Sequence, residues 1–376
     1  MAMEGESALR REEKITLRLR GLYEQYGYRK YRMGKFEEYE LYMENKNFLK
    51  NPNIIAFPDL DGHLMALKPD VTLSIAKNTH ATKESCEKVY YLENVYWLEK
   101  QSSGYREISQ LGLECIGKLD EISSYEVLCL AMETLSAISE SHRMQVGHIG
   151  FWVSLMDGLS LPEGVRGEML SCVHGKRLHE LKAVMTKASV PPAAIDLAVR
   201  AAALCGPFPQ TLEKARAIAL STGMTDALAE LESVYALLAQ KGFSDQLTLD
   251  FSLVNDCDYY DGLVFQGFVE GVPRALLTGG YYGRLMRKFG RDLDAIGFAV
   301  YLNELDLLFR AKHLLDADVL ILYGRHAPRA ALIEKADALR AQGLRVRLET
   351  CVPQDVRVEK IYTFDENGLK EAGKDA

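Results

Sequence analysis

Apolar residues recur at Ile15, Leu19, Leu22, Tyr23 and Tyr26, one face of a 3.6-residue period. The spacing predicts an amphipathic helix over residues 13–26, stopped by Gly27. The period then shortens to two. Residues 54–57 and 64–67 read as strands joined through Asp61-Gly62, a hairpin by turn chemistry. Pro69 ends ladder pairing, and Asp70 or Thr72 is placed to cap a helix over residues 73–78. Residues 88–117 carry two longer apolar strands around a polar loop at 100–104. In the second of them Ile108, Gln110, Gly112 and Glu114 alternate with Ser109, Leu111, Leu113 and Cys115, so Gln110 and Glu114 share a face. Two polar residues on one face need solvent or a polar ligand, and pattern alone favours solvent.

Residues 124–138 form a helix by the spacing of Val127, Leu128, Ala131 and Leu135, and residues 146–159 give a strand and a short helix. Residues 163–240 are almost wholly helical, broken at Pro191-Pro192 and Gly206-Pro207-Phe208-Pro209, and read as a helical insertion over about 163–245 with no chemistry of its own. The strand 247–253 then returns to a central sheet.

The stretch 249–305 organises the chain. Val264, Phe265, Phe268 and Val269 are β-formers, and turns at Asp261-Gly262 and at 270–273 make an antiparallel meander the economical reading. Gly279 and Gly280 suggest either positive φ or a close approach. Within the pairs Tyr259-Tyr260 and Tyr281-Tyr282, strand geometry would turn one member to each side. Those tyrosines fit core packing as well as a site. Residues 305–314 read as the last helix of the main domain, and 318–376 as a small β-α-β unit with a further strand near 360–364. No G-x-G-x-x-G follows its first strand.

With 376 residues, 48% hydrophobic and 26% charged, the chain fits one large domain and one small one. No segment approaches 18 uninterrupted apolar residues, so no membrane partner is expected. The start of the chain mixes charges without an apolar run, unlike a secretory signal, and a cytoplasmic protein is expected. The 7 cysteines stand singly and the 8 histidines are dispersed, so neither a metal nor any other cofactor is indicated. A net charge of −8 argues against a nucleic-acid partner.

Several segments, in order, resemble the histidyl-tRNA synthetase family. Residues 67–72 (LKPDVT) are similar to L-R-P-E-x-T, 105–117 to the end of the motif 2 hairpin, 253–260 to L-V-R-G-L-D-Y-Y, 278–285 to G-G-R-Y-D-x-L, and 297–305 to motif 3. The resemblance, over roughly residues 10–315, implies an α+β fold. Its core would be a class II aminoacyl-tRNA synthetase-like, mainly antiparallel sheet flanked by helices in a domain at 1–315, with the helical insertion, and a small C-terminal α/β domain at 318–376.

The departures from the family's pattern bear on function. Its motif 2 arginine falls at Trp97, its histidine-motif arginine at Asn255 and its motif 3 arginine at Glu304, although Arg106 persists. Amino-acid activation builds negative charge at the α-phosphorus of ATP, and preorganised cations must meet it. No full anticodon-binding domain is expected in the residues that follow 315, which are too few for one. By contrast Asp70, Thr72, Gln110, Glu114, Tyr259, Tyr260 and Tyr282 stand at the family's histidine-binding positions, while Tyr281 replaces an arginine of G-G-R-Y.

A histidine pocket without adenylation residues resembles the synthetase-like regulatory subunits of ATP phosphoribosyltransferase, as do MGKFEEYELY, LKPDVTLSIAK and GFVEGVPRALLTGG. That resemblance implies a non-catalytic subunit with a homodimeric core. It would join a short-form catalytic subunit in a hetero-oligomer for the first step of histidine biosynthesis, with histidine as feedback effector. The alternatives are a stand-alone amino-acid-binding paralogue and an active histidyl-tRNA synthetase.

Overall fold

The computed structural model describes residues 11–49, 51, 53–99, 104–254, 259–309 and 315–372; Asn255, part of the loop at 100–104, and the end of the expected helix at 305–314 lie outside them. The chain divides into two compact units, Met1–Leu308 and Phe309–Ala376.

Among the described residues, the first unit is built on a nine-stranded sheet. Its strands are β1 (Arg29–Lys30), β2 (Glu87–Glu99), β3 (Gly104–Gly117), β4 (His142–His148), β5 (Cys205–Pro207), β6 (Leu247–Asp250), β7 (Leu263–Val269), β8 (Leu277–Tyr281) and β9 (Asp294–Tyr301). Their spatial order is β1-β2-β3-β9-β8-β7-β4-β6-β5. The expected 88–117 hairpin is β2 and β3, and β7, β8 and β9 form the expected antiparallel meander. Pairings β1 with β2 and β4 with β6 are parallel, so the sheet is mixed.

One face of this sheet is covered by the helices Arg11–Gln25 and Glu121–Ile138. The first ends at Gly27, φ 83°, where the Tyr28 N–H reaches back to the Tyr23 carbonyl at 3.1 Å. The second begins three residues before the apolar pattern does, because Asp120 and Ser123 form a reciprocal capping box. It lies across β4, β7 and β9, and Gly267 leaves the space that the Leu135 side chain fills. The buried hydroxyls of Tyr23 and Thr134 join the two helices at 3.0 Å.

The insertion contains the helices Glu163–His174, Leu178–Lys187, Pro192–Ala202, Phe208–Arg216 and Thr222–Gln240. Two corrections follow. The Gly206-Pro207 break is an edge strand, β5, which pairs with β6 through Gly206 in extended backbone. The helix Thr222–Gln240 packs on Ile149–Gly158 and Glu121–Ile138, so the insertion is fused to the main core. The hairpin Ile55–Pro58 and Leu64–Leu67, with Gly62 at φ 86°, takes Phe36–Glu38 as a third strand and stands apart from the large sheet.

The second unit has a four-stranded sheet in the order Val346–Glu349, Ala317–Tyr323, Val358–Asp365, Gly368–Ala372, the last antiparallel. The helix Arg329–Ala341 stops at Gly343, φ 84°, and places Leu332 and Ala336 on Val319, Ile321 and Phe364. The strand Gly368–Ala372 (GLKEA) escapes the hydrophobic pattern because it is a short, polar edge.

Candidate functional site

The face of the sheet opposite the long helices carries a cavity of about 400 Å3, a figure that includes the open space at its mouth. Strand β3 contributes Gln110 and Glu114, β2 contributes Tyr91 and Trp97, β8 contributes Thr278, and β9 contributes Gly297 to Ala299 and Tyr301. Asp70, Thr72, Tyr259, Tyr260 and Tyr282 close it from outside the sheet, so all seven residues expected at a pocket line one cavity.

Glu114 is its centre. The side chain is 2% exposed; its Oε1 accepts the Thr72 hydroxyl at 2.7 Å and its Oε2 the Tyr282 hydroxyl at 2.6 Å. Both are hydrogen bonds to a charged acceptor, the stronger class, and they fix the carboxylate in one orientation. Gln110, two positions away on the same face, is 7% exposed, and no hydrogen bond from another described residue engages its amide. This corrects the pattern-based preference for solvent: the shared face of Gln110 and Glu114 looks into the cavity. Between them Gly112 faces Tyr91, whose ring would overlap any Cβ there at 2.4 Å.

Asp70 stands both at the start of a helix and on the cavity wall. Its Oδ1 accepts the Leu73 N–H at 2.8 Å, capping the helix Thr72–Asn78, while the residue stays half-buried on the cavity wall. Strand β2 clamps the segment that carries it. The Lys68 ammonium, 1% exposed, pairs with Glu93 at 2.5 Å; the Tyr96 N–H donates to the Lys68 carbonyl at 3.0 Å; the Trp97 indole N–H donates to the Pro69 carbonyl at 2.8 Å. Trp97 is therefore a strut under Asp70 as well as a wall of the cavity.

Strand alternation misjudged Tyr259 and Tyr260. They lie in a turn outside any strand, and both enter the cavity, with ring centroids 4.7 Å apart. Tyr259 also meets Tyr282 at 5.7 Å. For Tyr281 and Tyr282 the alternation holds: Tyr282 faces the cavity, and the Tyr281 hydroxyl turns away to donate to Asp294. Gly279 and Gly280 take no positive φ; they allow close packing against the Gly297 carbonyl and the Tyr260 ring. Burial pushes the Tyr259, Tyr282 and Tyr91 hydroxyls well above the ordinary phenol value, and the Glu114 charge adds to each shift, so all three stay protonated donors. Tyr91, Thr278 and Tyr301 were not expected in the site. Thr278 and Tyr301 share a hydrogen bond of 3.1 Å on adjacent strands.

Glu304 pairs with Arg274 at 3.7 Å. Among the described residues, the trio of acidic and imidazole groups close enough to share a metal ion, Asp59, Asp61 and His63, does not line the cavity, and backbone N–H groups of Asp61 and His63 already occupy the Asp59 carboxylate.

Residues 5–305 match the family model of histidyl-tRNA synthetase. The ATP phosphoribosyltransferase regulatory subunit of Desulforamulus reducens is 30% identical over 346 residues, spanning 89% of this chain and 84% of that protein. Among solved structures, an ATP phosphoribosyltransferase regulatory subunit/histidyl-tRNA synthetase from Bacillus halodurans superposes with a TM-score of 0.75 at 24% identity, over 94% of this chain and 93% of that one. A chain of the ATP phosphoribosyl transferase (HisG:HisZ) complex from Thermotoga maritima gives 0.60 at 18% identity, over 78% and 97%. These structural likenesses establish the fold.

Proposed function

The chain belongs to the ATP phosphoribosyltransferase regulatory subunits, a branch of the histidyl-tRNA synthetase family, and we propose that it is their non-catalytic kind, holding free histidine in the Glu114 cavity as an effector. Its partner is a short catalytic subunit that joins ATP to phosphoribosyl pyrophosphate, the first step of histidine biosynthesis, in the cytoplasm. A homodimer of this chain is the core of that hetero-oligomer.

One observation carries the reading. The cavity keeps a buried carboxylate ringed by hydroxyl donors, suited to an ammonium and an imidazole, while the positions that resemble adenylation cations hold Trp97, spent on Pro69, and Glu304, spent on Arg274. A transition state with charge growing on phosphorus would meet no cation from either position. Feedback then requires that histidine bind the inhibited form of the complex more tightly than the active form, since a ligand shifts an equilibrium only by its differential affinity.

The test is phosphoribosyl-ATP formation by the short catalytic subunit from the same source, with and without this chain, each with and without histidine. Activity that rises with the chain and falls with histidine is the expected result. No effect in either comparison would leave a stand-alone binding protein, and histidine-dependent pyrophosphate exchange by the chain alone would make it an active synthetase. Sedimentation at micromolar concentration checks the dimeric core, which a monomer would contradict.

A further inference from the structure

The lining of the cavity is lopsided in charge. Two carboxylates, Asp70 and Glu114, and the amide of Gln110 face a wall of tyrosine rings, and among the described lining residues there is no Lys, Arg or His. The nearby basic group whose contacts are described, Lys68, is turned onto Glu93 and does not reach the cavity. Residues 255–258 contain no Lys, Arg or His in their sequence either. An α-amino acid brings one ammonium and one carboxylate. The ammonium has partners here, but among the described lining residues the carboxylate has no counter-charge, Arg106 of the same strand not being one of them, and it would approach two groups of its own sign.

We infer that the cavity recognises a cationic amine attached to a flat heteroaromatic ring, and that the carboxylate of an amino-acid ligand adds nothing to its affinity. This rests on the reading of the cavity as a histidine site and narrows it to a ligand class. The ammonium lies among Asp70, Gln110 and Glu114, where charge-assisted hydrogen bonds are strongest. The imidazole stacks within the Tyr259, Tyr260 and Tyr282 cluster, whose protonated hydroxyls and ring faces suit it. The ligand's carboxyl end points to the open mouth and is solvated there.

Calorimetry of the full chain with four compounds separates the parts: histidine; histidinamide, which keeps ammonium and ring but carries no carboxylate; histamine, which lacks the carboxyl carbon; and imidazolepropionate, which lacks the ammonium. Histidinamide and histamine are expected within about tenfold of histidine or tighter, and imidazolepropionate about a hundredfold weaker or worse. Glu114→Gln should weaken the three ammonium ligands about tenfold or more. Histidine binding more than about tenfold tighter than both amines would overturn the inference while leaving the histidine site standing. If none of the four binds, the histidine reading fails as well, so the two failures are distinguishable. The wild-type series decides the matter even if the variant fails to fold.

Discussion

Glu114 and Gly297 stand directly opposite each other on β3 and β9, and a Cβ on residue 297 would lie 1.7 Å from Glu114 Oε2 and 2.4 Å from the Leu113 carbonyl. The glycine is thus the space into which the central carboxylate folds. Gly297→Ala must displace either the carboxylate or the strand, an overpacking that costs about 1–3 kcal/mol in a close-packed core. The variant is expected to lower the melting temperature and to lose histidine binding. Wild-type affinity in calorimetry would show that Glu114 is not held where the ligand is.

Replacing Glu114 separates charge from packing. Glu114→Gln removes the charge and keeps one acceptor oxygen, so one of the Thr72 and Tyr282 hydroxyls keeps its acceptor and the other must turn to accept from the new amide N–H; histidine affinity should fall about tenfold or more, with a smaller loss of stability than truncation causes. Glu114→Ala strands two buried hydroxyls, each worth about 1–3 kcal/mol when left unsatisfied, and should destabilise more. Unchanged histidine affinity in both variants would remove Glu114 from the site.

The sequence contains 2 tryptophans. Trp152 is fully buried with its indole N–H on the Phe251 carbonyl at 2.7 Å, whereas Trp97 lines the cavity. Histidine should therefore change the intrinsic fluorescence through Trp97, and Trp97→Phe should abolish the change. Losing the indole bond to Pro69 costs roughly 0.5–1.5 kcal/mol and loosens the segment that carries Asp70, so affinity falls too. A signal that survives Trp97→Phe would place the ligand elsewhere.

The extent to which this site could be read from sequence depended on what fixes each residue. Gln110 and Glu114 share a face because strand alternation is local geometry, but whether that face meets water depends on Asp70, Tyr259 and Tyr282 arriving from distant parts of the chain. Tyr259 and Tyr260 broke the alternation because they belong to a turn. Tyr91 left one usable signal: Gly112, a glycine between two polar residues on one face, marks room for a large side chain from the neighbouring strand. Strand β5 left none, because Gly206-Pro207 satisfies the chemistry of a break and of an edge equally well.

Asp318 gives the second unit an acid-sensitive tie. Its carboxylate accepts the Arg345 side chain through Nε at 3.1 Å and Nη2 at 2.7 Å, and the Arg345 backbone N–H at 2.8 Å, which joins the strand Ala317–Tyr323 to the start of Val346–Glu349. The hydrogen bonds from the Arg345 side chain and backbone hold the Asp318 carboxyl below its ordinary value. Because the folded pKa is depressed, the stabilisation is present in full above the unfolded value of about 3.9 and disappears as pH falls through the folded one. Asp318→Asn should lower the melting temperature of this unit by a few degrees at neutral pH, and the gap to wild type should close as the medium becomes more acidic than that folded value. A gap that stays constant through the acid range would mean that the pair contributes through packing alone, and a gap that widens would reverse the sign of the linkage.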